Sequence, residues 1–136
     1  MGSTNYSNAF IQVAEDCPVA AAEPPPTGGR TPSVAALQHE LLAGHPYELT
    51  SDDLLFEVYA VRHDIPTDAR AAARAEFFSR SQACLRASPL GKRYGWGTHH
   101  DADGRIALVS LGSDEYRGLA ADPTVKQFKA MRSKRG

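Results

Sequence analysis

The stretch from Arg86 to His100 gathers Arg86, Ser88, Lys92, Arg93, Tyr94, Trp96, His99 and His100, and Trp96 is the sole tryptophan of the chain. Guanidinium groups interleaved with aromatic rings suit an anion or a base. The planar fork pairs with phosphate or carboxylate oxygens, and the ring offers a stacking face. Arg86, Arg93, Tyr94, Trp96 and His100 are therefore the candidate ligand contacts. His100 falls on the side of Trp96 and Tyr94 in an extended chain, and His99 on the side of Gly95 and Gly97. The competing reading makes the cations snorkelling side chains around an aromatic core anchor.

Other residues nearby carry chemistry of different kinds. His99, His100, Asp101 and Asp103 are metal-ligand types, but neighbours in a strand point to opposite faces, and a closed zinc site wants four ligands. No metal is expected, and no cofactor. Gly95 and Gly97 begin a G-x-G pattern, but a histidine stands where the third glycine of a dinucleotide fingerprint belongs, and a strand follows in place of a helix. These glycines mark a bulge or a close backbone approach, a ligand being the sharper alternative. Cys84 lies near Arg80 and Arg86, which favour a thiolate. Catalysis there would need His99 or His100 as base, whereas an inert buried thiol is the commoner role of a lone cysteine.

Several elements must position these groups. Phe10, Ile11 and Val13 form a β-prone run ended by Cys17-Pro18. Residues 18–32 are rich in Pro, Ala and Gly and read as a mobile loop. Thr31-Pro32 has the form of an N-cap with proline at the first helical position, opening a helix through Leu37, Leu41 and Leu42 to Gly44, with Val34 on the same face. Leu54, Phe56, Val58 and Ala60 alternate with a mixed set, which predicts an internal strand. Thr67 caps a helix in which Ala69, Ala73 and Phe77 share one face and Arg70 and Arg74 the other. The runs "RYGWGTHH" and "RIALVSLG", joined by "DADG", predict a hairpin. Ser113 caps a short helix with Asp114 and Glu115 in its first turn. Asp122-Pro123 repeats the start signal for a last helix, "TVKQFKAM". The order β, α, β, α, β, β, α, α implies an α+β fold: a mostly antiparallel sheet of about four strands with helices on one face, and room for one parallel crossover.

The 136 residues suit one domain, 1–136, with the 18–32 loop and a basic tail at 132–136. A net charge of −1 gives no global field toward nucleic acid or a membrane surface. The N-terminus lacks the basic and apolar regions of a signal peptide, and Tyr6 occupies the position where a myristoylation signal wants Ser or Thr. No apolar run approaches the ~18 residues of a membrane helix. Cys17 and Cys84 are then reduced thiols of a cytoplasmic protein.

The strings "LRASPL", "KRYGWG" and the C-terminal "MRSKR", with "NYSNAFIQVAEDCP" and "YELTSDDLLFEVYAVRHDIP", resemble an uncharacterised family of small bacterial single-domain proteins, a domain of unknown function. The resemblance covers nearly the whole chain apart from the Pro/Gly loop. It implies a stand-alone cytosolic protein and carries no catalytic residue. The leading expectation is a binding module for a small anionic ligand. The alternatives are a small enzyme with His99 or His100 as acid/base, supported by Cys84 or Asp101, and an RNA- or ribosome-associated protein using the tail.

Overall fold

In a computed structural model of the chain, which describes residues 3–133, the regular elements run β1 (Ala9–Gln12), α1 (Val34–Gly44), α2 (Ser51–Arg62), α3 (Arg70–Phe78), α4 (Pro89–Arg93), β2 (Trp96–His100), β3 (Ile106–Ser110), α5 (Asp114–Ala121) and β4 (Lys126–Lys129). The strands form one sheet in the order β3-β2-β1-β4. The β2–β3 hairpin and the β1–β2 pair are antiparallel, and β1–β4 is the parallel pair. The α+β class and the mostly antiparallel four-stranded sheet hold.

Alternation along the strands sorts their side chains between two cores. Ile11 and Ile106 join Leu37 and Leu42 of α1, Leu54 and Val58 of α2, and Leu90 of α4 in the larger one. Phe10 and Val109 point the other way and pack with Tyr116 of α5. The second face of the sheet thus has a helix of its own, smaller than the layer formed by α1, α2 and α4.

Residues 51–62 are a helix, not the strand that their alternation suggests. Two helical stripes produce that alternation by interleaving. Leu54 and Val58, four apart, enter the main core. Phe56 and Ala60, also four apart, are buried as well, and the Phe56 ring meets Phe77 of α3 at 5.9 Å. The decisive local signal is the capping box. The Asp53 N–H donates to Thr50 Oγ1 (3.2 Å), and the Thr50 N–H donates to Asp53 Oδ2 (3.1 Å). Thr50→Ala is expected to lower stability by about 1 kcal/mol, read as a smaller urea midpoint at unchanged slope.

Four further features differ from the pattern. The cap of α1 is Ser33, whose Oγ accepts from the Ala36 N–H, so Thr31 and Pro32 lie outside the helix. Thr67 opens a 3-10 turn that runs into α3. Arg70 and Arg74 belong to the inward side of α3, ion-paired with Glu57 and Asp53 of α2. Residues 126–129 are a strand, because the Asp122 carboxylate accepts from both the N–H and hydroxyl of Thr124, forming a turn, and the chain then pairs with β1. The hairpin with its "DADG" turn and the Ser113 cap of α5 stand as read.

Candidate functional site

The five candidate residues do not meet around one cavity. Arg86 is half-buried, and its Nε–H donates to the Lys129 carbonyl at 2.7 Å. Arg93, exposed at the end of α4, shares a different groove of about 260 Å³ with Lys92, Tyr94 and Ser33. Tyr94 and Trp96 are joined through one residue of the Pro/Gly loop: the Tyr94 carbonyl accepts from the Glu23 N–H (2.9 Å), and Trp96 Nε1–H donates to the Glu23 carbonyl (2.8 Å).

His100 does not border a surface. It is fully buried, its Nε2 shares a hydrogen bond with Thr98 Oγ1 (3.1 Å), and its Nδ1 has no partner. Burial, with the neighbouring His99 adding to it, lowers its pKa to about 4, so the ring is neutral at pH 7. Tyr6 stands against it edge-on at 5.4 Å and also packs against Phe128 at 4.9 Å.

The groups of the enzymatic reading are spread in the same way. Cys84 Sγ accepts from the Tyr6 hydroxyl at 3.3 Å, and burial, then this contact, pushes the Tyr6 phenol up to about 12. No hydrogen bond among the described residues joins Cys84 to either histidine. His99 faces away from His100 and shares a 2.8 Å hydrogen bond with the hydroxyl of Tyr47, a residue held at φ +58. Asp101 spends its Oδ1 on the turn, accepting from the N–H groups of Asp103 and Arg105. Among the described residues no three His, Cys, Asp or Glu side chains are grouped to hold a metal ion.

The two glycines of "GWG" both sit at close approaches. A Cβ on Gly97 would lie 2.8 Å from the Phe10 ring and 3.0 Å from Tyr116. Gly95 has φ +79, and a Cβ there would meet Ala21 O, Ala22 Cα and Val19 Cγ2 at 3.0 Å. What approaches Gly95 is the chain's own Pro/Gly loop.

Three cations come together where β4 closes the sheet. A groove of about 500 Å³ is lined by Arg86, Lys129 and Arg132, with the edges of Gln12, Gln127 and Phe128. β4 positions Lys129. Hydrogen bonds from the Ala130 N–H to the Gln12 carbonyl and from the Met131 N–H to the Arg86 carbonyl continue the chain past the strand and bring Arg132 alongside. Glu15 is the one acid of the lining and lies 3.8 Å from the Lys129 ammonium. Since Nε of Arg86 is spent on a backbone carbonyl, its guanidinium has a fixed orientation before any ligand arrives.

Arg86 was legible in the sequence as a candidate. Arg132 belongs to the basic tail of the sequence and Lys129 to the segment expected as a last helix, and neither could be placed beside Arg86 locally, because their placement depends on the parallel pairing of β4. Of the 132–136 tail, Arg132 lines this groove and the Ser133 N–H donates to the Asp16 carboxylate (3.0 Å), while 134–136 lie outside the described residues.

No described helix is long and apolar enough to cross a membrane. A family model described as a family of unknown function, DUF6157, matches residues 1–136. No curated protein and no solved structure matches the chain.

Proposed function

We propose a binding function for this chain, which belongs to the DUF6157 family of unknown function: it is a cytoplasmic module that holds a small anionic ligand in the groove of Arg86, Lys129 and Arg132. The observation that carries this reading is the Arg86 Nε–H···O=C bond to Lys129, which aims a guanidinium fork into a groove with two more cations. Three positive groups against the single carboxylate of Glu15 favour a ligand with at least two negative charges, such as a phosphate ester or a polycarboxylate.

Calorimetric titration with inorganic pyrophosphate and with citrate, at matched ionic strength, tests it. The two probes separate phosphate from carboxylate recognition. Arg86→Gln is expected to weaken binding at least about tenfold, the loss of one charged hydrogen bond. Arg93→Gln, on a separate groove, leaves affinity unchanged. Equal affinities for wild type and Arg86→Gln, or a loss with Arg93→Gln alone, would remove the groove from consideration.

A further inference from the structure

The Pro/Gly loop is not slack chain. It is tied at its near end through both backbone groups of Glu23, to Tyr94 and to Trp96. At its far end the Pro32 carbonyl accepts from Arg62 Nε–H at 3.3 Å, and Ser33 caps α1. Between these ties Pro24, Pro25 and Pro26 stiffen the chain, since proline fixes φ. The loop passes over α1 as a strap without filling the space beneath it.

That space is a cavity of about 680 Å³, within the usual range of small-molecule sites. Its floor is the helical stripe Ala36, His39, Glu40 and Ala43, spaced three, four and seven apart, and its roof includes Pro24, Pro25 and Arg30. Walls of proline rings and alanine methyls suit an apolar body. Arg30 and Glu40 supply opposite charges that face the same cavity and are ion-paired neither to each other nor to any other described residue. Burial lowers the His39 pKa below its ordinary value, so that ring presents a neutral donor or acceptor.

A simple anion would meet Glu40 as well as Arg30, and a simple cation the reverse. We propose that the strap cavity is a second binding site, for a small zwitterion: a free carboxylate on Arg30, a free ammonium on Glu40 and an apolar body between the prolines and Ala36 and Ala43. An apolar amino acid and a short apolar peptide with free ends share this chemistry. The site is independent of the anion groove at β4.

Trp96 reports on it, because the His39 ring lies 5.0 Å from the indole. The full-length protein is titrated with L-leucine and with leucyl-leucine while Trp96 fluorescence is followed. Parallel titrations use the N-acetyl form and the C-terminal amide of each. The expected result is a saturable change with one or both zwitterions and its loss with either capped form. The arm that saturates at lower concentration identifies the source as amino acid or peptide. Arg30→Gln and Glu40→Gln, both at exposed positions, each weaken binding at least about tenfold with unchanged melting temperature, the loss of one charged contact. Arg86→Gln leaves it intact, so failure here is distinct from failure at β4. Equal binding of capped and free forms, or no saturable change with either zwitterion up to its solubility, overturns the proposal.

Discussion

Between pH 6.5 and about pH 4 the protein is expected to lose on the order of 3 kcal/mol of stability through His100 alone. In the unfolded chain this imidazole titrates near 6.5; in the folded protein burial holds its pKa at about 4. Across that interval the unfolded state binds the extra proton, so stability rises with pH. The contribution is complete above pH 6.5 and is lost progressively as pH falls toward 4. His39, also lowered by burial, adds a smaller effect of the same sign. Asp53 acts in a lower window. Burial raises its carboxyl, hydrogen bonds with Thr50 and Arg74 outweigh that, and the net lowering costs stability only as pH falls through and below 3.8. Urea unfolding across this range gives the slope directly. His100→Gln, which can still reach Thr98, is expected to flatten most of it; an unchanged slope in the variant assigns the effect elsewhere.

The second large effect lies on the opposite face of the sheet. Phe10 is fully buried and meets Tyr116 edge-on at 4.9 Å, with Gly97 pressed against its ring. Phe10→Ala is expected to cost about 3–5 kcal/mol, the range for emptying an aromatic site. Gly97→Ala fails for the reverse reason. Its methyl would stand 2.8 Å from the Phe10 ring, an overpacking worth about 1–3 kcal/mol. The two sites are coupled, so Gly97→Ala combined with Phe10→Leu should cost less than the sum of the separate changes. Denaturant midpoints of Gly97→Ala, of Phe10→Leu alone and of the double variant measure this, and strict additivity would show that Phe10 is not what holds position 97 to glycine.

These sites illustrate what the chain discloses locally and what it does not. The hairpin, the Ser113 cap and the α1 stripe are short-range features, and each was readable from residues within a few positions of one another. The alternation of Leu54, Phe56, Val58 and Ala60 misled because α2 is buried on two sides, by the main core that it shares with α1 and by α3. Thr50 and Asp53, three apart, carried the correct answer. β4 had no local signal, since "KQFK" becomes a strand by pairing with β1, more than a hundred residues earlier. The anion groove inherits that difficulty, because Arg86 is local to the signature segment whereas Lys129 and Arg132 arrive only through the parallel pairing. The strap looked mobile from composition, and only the ties at Glu23 and Pro32 turn the same prolines and glycines into the roof of a cavity.

Amide chemical-shift mapping of the isotope-labelled protein during titration with inorganic pyrophosphate tests the anion groove most directly. Saturable shifts centred on Arg86 and on residues 127–132, absent with sodium chloride at equal ionic strength, are the predicted result. Shifts centred on residues 92–94, or a uniform drift matching the chloride control, would contradict it.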